Sequence, residues 1–175
     1  ATPLGANGHI VGKIGAQTIL KTCRWSALQA DITGIFATEK KESVVASFEG
    51  AQLKNLGPIV QAFTKWNSFI AHIELIITPP EAEALGVVAG YEFYYKTPTC
   101  IRFCIASLTD CLGAIQPLSA EVASRTTNVT SHKLRGEIFI KPSDWFIISG
   151  GGSYIVGGHN APQEREWYLS LNAYF

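Results

Sequence analysis

A branched apolar run that stops at two consecutive prolines leaves a chain few choices, and residues 57–95 contain one: GPIVQAFTKWNSFIAHIELIITPPEAEALGVVAGYEFYY. Proline fixes φ and lacks an N–H, so Pro79-Pro80 marks the end of a strand that starts at Phe69. The spacing predicts one strand over Phe69–Thr78 and a second over Val87–Tyr95, joined by a short acidic loop. Ahead of them, Pro58–Lys65 reads as a single helix-like turn closed by Trp66 and Asn67. Side chains alternate along a strand, so Phe69, Ala71, Ile73, Leu75 and Ile77 share one face. That face is wholly apolar and is expected to meet a core. Ile70, His72, Glu74 and Ile76 share the other, mixed face, which makes them the candidate interface with another sheet or subunit.

At 175 residues the chain is expected to form one domain, 1–175, with residues 1–16 as an extended N-terminal arm. Only 16% of residues are charged and 47% are apolar, which leaves much neutral surface for partner contacts. Lys plus Arg and Asp plus Glu both total 14, and no basic cluster exists to neutralise a phosphate backbone. No run of eighteen or so apolar residues suggests a membrane helix. There is no methionine, which leaves open cleavage from a longer precursor, removal of an initiator or an incomplete chain. Cys23, Cys100, Cys104 and Cys111 have irregular spacing and no CxxC pair, so buried free thiols are expected.

Further strands are predicted over Thr18–Trp25, Ser43–Phe48, Ile101–Ala106, Lys133–Ile140, Trp145–Ser149 and Arg165–Phe175. Asp31–Gly34 reads as a turn, Ser107–Gln116 as a short helix capped by Ser107, and residues 119–131 as a loop. Many short strands with Gly and Pro punctuation give an all-β fold. The count fits an antiparallel eight-stranded jelly-roll sandwich with one or two short helices.

No enzymatic constellation emerges. Gly150–Gly152 and Gly157-Gly158 match neither GxxxxGK[ST] nor GxGxxG, and read as a flexible turn. His9, His72, His132 and His159 do not stand at metal-ligand spacing, and there is no GxSxG elbow. The expectation is no enzyme, no catalytic residue, no metal and no cofactor.

The pattern Gly57-Pro58-Ile59, Trp66, Phe69–Thr78 and Val87–Tyr95, with a closing Glu166-Trp167-Tyr168-Leu169, resembles coat proteins of picorna-like plant viruses, the comovirus, nepovirus and cheravirus group (Secoviridae). The resemblance implies a small jelly-roll capsid subunit cut from a polyprotein. It would assemble with copies of itself and other coat protein subunits into an icosahedral virion around single-stranded RNA, without a basic arm. It implies localisation in the virion, or in host cytoplasm during assembly, and no membrane. The alternative is a β-sandwich binding module, carbohydrate-binding or cytokine-like. A hydrolase or cupin-type enzyme would need a His/Glu metal cluster.

Overall fold

The computed structural model describes residues 8–48, 57–79, 84–109, 115–125, 127–143 and 145–173. Its elements run β1 (Val11–Cys23), β2 (Ser26–Ala37), β3 (Lys40–Val45), β4 (Ile59–Lys65), β5 (Asn67–Ile77), β6 (Leu85–Lys96), β7 (Cys100–Phe103), β8 (Ser107–Thr109), β9 (Ile115–Pro117), α1 (Ala120–Ser124), β10 (Val129–Ser143), β11 (Phe146–His159) and β12 (Arg165–Ala173). They fall into two compact units. One comprises Ala1–Lys13, Ile35–Ser68 and Lys96–Val129; the other comprises Ile14–Gly34, Phe69–Tyr95 and Thr130–Phe175.

The first unit holds a three-stranded sheet, β3-β4-β7, the β8-β9 hairpin and α1. Segment Ile59–Lys65 is strand β4, not a helical turn. Its Val60, Ala62 and Thr64 are buried at period two, and its β-branched side chains favour the pleat. Together with Ile35, Ala37, Ala46, Trp66, Val122 and Ala123, Val60 and Ala62 make up this unit's buried apolar core. Ser119 caps α1 by accepting a 3.2 Å hydrogen bond from the Val122 amide. Trp66 meets His9 edge-on and lies 5.2 Å from the Lys96 ammonium. Burial of Lys96 pulls its pKa below the ordinary lysine value, and the nearby Glu42 charge offsets part of that fall.

A seven-stranded sheet in the order β1-β2-β5-β6-β10-β11-β12 supplies the second unit's strands. The order follows the chain, and neighbours are antiparallel. Thr78 donates to the Trp25 carbonyl between β5 and β2, and Lys141 to the Ala84 carbonyl between β10 and β6. Gly136 sits opposite Gly152 in the β10–β11 register, and Gly152 opposite Trp167 in the β11–β12 register. Connections at one end of this sheet are short: 24–25, 78–84 and 144–145. The β11–β12 connection, 160–164, is also short, while 38–66 and 97–128 stand between β2 and β5 and between β6 and β10 in the sequence.

The all-β, antiparallel class matches expectation. In place of eight strands in two four-stranded sheets, the described residues form sheets of seven, three and two strands. The expected turn at Asp31–Gly34 lies within β2, which begins at Ser26 after a tight turn at Arg24-Trp25. Ser107–Thr109 and Ile115–Pro117 are strands instead of one helix, and the helix falls on the expected 119–131 loop. Val11–Ala16, expected as arm, begins β1, while residues 1–7 lie outside the described residues.

Candidate functional site

The glycine run is not a turn. Gly150, Gly151, Gly152 and Gly157 lie in β11 without positive φ. Their alternation, and that of the strands beside them, divides the sheet into two chemically unlike faces.

One face is polar and tightly connected. Asp31 of β2, His72 and Glu74 of β5, Arg135 and Glu137 of β10, and Tyr168 of β12 form a continuous chain of contacts. His72 places Nδ1 2.9 Å from Asp31 and Nε2 3.1 Å from Glu74. Each ring nitrogen thus faces one carboxylate. The Arg135 guanidinium donates to Glu74 at 3.1 Å, to Glu137 at 2.6 Å and to the Tyr168 hydroxyl at 3.0 Å. Tyr168 in turn donates to Glu137 at 2.6 Å. Beside them Glu166 accepts from Lys133 at 2.7 Å and from Ser153 at 2.9 Å.

Glycines on the intervening strands make these long-range contacts possible. A Cβ on Gly90 of β6 would lie 3.1 Å from Glu74 Cγ, and one on Gly151 of β11 would lie 2.8 Å from Tyr168 Oη. A Cβ on Gly86 would lie 2.0 Å from the Phe139 ring. Each glycine thus vacates the space into which a neighbour's long side chain lies. A small polar cavity of about 230 Å³ remains, lined by His72, Glu92, Lys133, Arg135, Glu166 and Tyr168 among others.

The other face is apolar and uncovered. It carries Ile14, Leu20, Ile32, Phe69, Ile73, Leu75, Leu85, Val87, Leu134, Ile138, Ile140, Tyr154, Trp167, Leu169 and Leu171, all exposed. Trp167 is 85% and Leu169 82% exposed. Among the described residues of these strands its one formal charge is Arg165, the first residue of β12, whose guanidinium lies 5.1 Å from the Tyr154 ring. His132 also lies on this face near its end, with Nδ1 2.7 Å from the Tyr91 hydroxyl.

The expected core face of β5 is therefore corrected. Phe69, Ile73 and Leu75 are exposed, whereas Glu74 is 8% exposed. Among the described residues of this unit the apolar side stays exposed, and the polar side is closed by its own ion pairs. Of the four candidate interface residues, His72 and Glu74 are drawn into the network, and Ile70 and Ile76 are half-buried on the same face. Asp31, Arg135, Glu137 and Tyr168 were not singled out as site residues in the sequence. For the last three the signal was present in the same-parity charges Lys133, Arg135 and Glu137, and in Glu166 and Tyr168.

Cys23, Cys100 and Cys104 are free and exposed, not buried, because each lies in a strand at an exposed position or just after one. Cys111 lies outside the described residues. Among the described residues no group of three His, Cys, Asp or Glu side chains could hold a metal. In the first unit Thr64 donates to Glu42 and lies 3.4 Å from His9. Thr64 is fully buried, so that hydroxyl has no path to a substrate.

No protein-family model, curated protein or solved structure matches this chain.

Proposed function

We propose that the seven-stranded sheet is a membrane-embedded wall of the transmembrane β-barrel kind, with its apolar face toward lipid and its charged face toward a polar interior. The observation that carries this is the separation of chemistry by face: Asp31, Glu74, Lys133, Arg135, Glu137 and Glu166 lie on one side, while large exposed apolar side chains cover the other. A water-soluble sheet points its charges outward and covers its apolar face, whereas a barrel in lipid has the reverse alternation. Strand lengths of 9 to 15 residues suit the roughly 9–11 that a tilted strand needs to cross the hydrocarbon layer. Aromatic residues stand near both ends, Trp25 and Trp145 in the short turns and Tyr91, Tyr95 and Tyr154 toward the opposite end. Among the described residues no helix is long and apolar enough to cross a membrane, so a crossing would be made by strands.

The shell subunit implied by the resemblance is the second reading. It is favoured by the same uncovered face, which copies of the chain or other coat subunits would cover by sheet-on-sheet packing, in a jelly roll or another sandwich. One experiment separates the two. The full chain is refolded with and without phospholipid vesicles, floated on a density gradient and washed with alkaline carbonate. The membrane reading expects wash-resistant flotation with the vesicles. Large symmetric particles formed in water, with no chain in the floated fraction, would overturn it in favour of the shell.

A further inference from the structure

On the apolar face a Cβ on Gly152 would lie 2.6 Å from the Trp167 ring, but two other glycines there, Gly136 and Gly150, behave differently from those on the polar face. A Cβ on Gly136 would meet nothing within 4 Å, and one on Gly150 would meet only Leu169 Cδ1 at 3.7 Å, an ordinary contact. Neither has positive φ. The chain's own packing and backbone therefore do not require glycine at these two positions, although glycine within a strand costs stability. What their bareness creates is a trench of about 870 Å³, floored by Gly136, Gly150 and Gly152. Val87 and Ala89 of β6 wall it on one side, Trp167 and Leu169 of β12 on the other. The trench continues past Gly136, Gly152 and Trp167 into a second hollow of about 620 Å³, which ends at Tyr154 and Arg165.

Resting on the membrane reading, we infer that this trench is a binding site for one anionic phospholipid, with an acyl chain laid over the glycine floor and the phosphate against Arg165. The commitment to an amphiphile follows from charge. Glu137 and Arg135 also line the trench, but their charged groups bond Glu74, Tyr168 and each other on the opposite face, so among the described residues Arg165, at the trench's end, is the one formal charge on this face. From Leu169 to Arg165 along β12 is roughly 13 Å at the usual strand rise, so apolar and ionic contacts are spaced as in a lipid's chain and headgroup. A guanidinium donates in a planar fork that matches phosphate oxygens, and stacking on Tyr154 holds that fork in place. A wholly apolar occupant would leave Arg165 without a counter-charge.

The test uses the full chain in vesicles of equal phosphatidylglycerol and phosphatidylcholine, solubilised gently and read by native mass spectrometry for retained lipid. Wild type is expected to carry one phosphatidylglycerol in at least tenfold excess over phosphatidylcholine. Arg165→Gln should bring that ratio close to one, and Gly136→Leu, whose Cβ would meet nothing within 4 Å, should lower total retention at least tenfold. Lys21→Gln, a charge change away from the trench, should leave both readings unchanged. Equal retention by wild type, Arg165→Gln and Gly136→Leu, all still floating with vesicles, overturns the lipid site and leaves the membrane reading standing. A lipid-free dimer of wild type that Gly136→Leu dissociates overturns it in favour of a second copy in the trench. Failure of wild type to float overturns both readings together.

Discussion

Arg135 is the residue on which the polar face turns, because it alone touches Glu74, Glu137 and Tyr168. Replacing it with methionine keeps most of the stem but removes the guanidinium from Glu74, 8% exposed, leaving it the 3.1 Å contact to His72 Nε2. Removing one partner of an enclosed ion pair strands the other charge, which is far costlier than losing a surface pair. With the Arg135 side chain 40% exposed, we expect Arg135→Met to destabilise the sheet by about 2 kcal/mol, read as a lower denaturant midpoint. A midpoint within error of wild type would mean that solvent already screens the network. The sequence made a third of this cluster legible. His72 and Glu74 stand two apart and could be placed on one face by alternation alone. Asp31 lies 41 residues from His72 and Arg135 61 from Glu74, and no local pattern states that β5 and β10 flank the same glycine-bearing strand.

Among the elements, β5 and β6 were readable within two residues at each end, since proline stops and alternating branched side chains act locally. β11 was not. Its Gly-Gly-Gly run has low strand propensity by itself, and tertiary context overrides that because the run is paired on both sides, to β10 and to β12. β4 misled for a related reason: a Gly-Pro start followed by mixed residues also suits a helix opening, and pairing with β3 and β7 decides for the strand. The β11 assignment carries its own prediction. Gly151→Ala would place a Cβ 2.5 Å from the Gly136 carbonyl and 2.8 Å from Tyr168 Oη. It should cost about 1–3 kcal/mol, as overpacking does, and loosen Tyr168. Gly136→Ala, with no atom within 4 Å, should leave the denaturation midpoint unchanged or slightly raised. Equal effects from the two alanines would argue against β11 as a strand in this register.

At the scale of the whole molecule the all-β class was legible from punctuation and alternation, but the meaning of the faces was not. Alternation specifies that two faces differ; it does not say which one is turned to the chain's own interior. The usual inference sends the apolar face inward, and here that inference fails because the long charged side chains satisfy one another across glycines and close the opposite face instead. What results is a sheet whose apolar side is left exposed by the described residues. The most direct test is a cysteine scan of residues 69 to 77 in phospholipid vesicles, with a nitroxide on each site and collision rates measured against oxygen and a water-soluble nickel chelate. A lipid-facing wall predicts a period of two: oxygen-accessible and nickel-protected at Phe69, Ala71, Ile73, Leu75 and Ile77, with oxygen access falling at Ile70, His72, Glu74 and Ile76. Nickel access at the first set, or no alternation along β5, would contradict it.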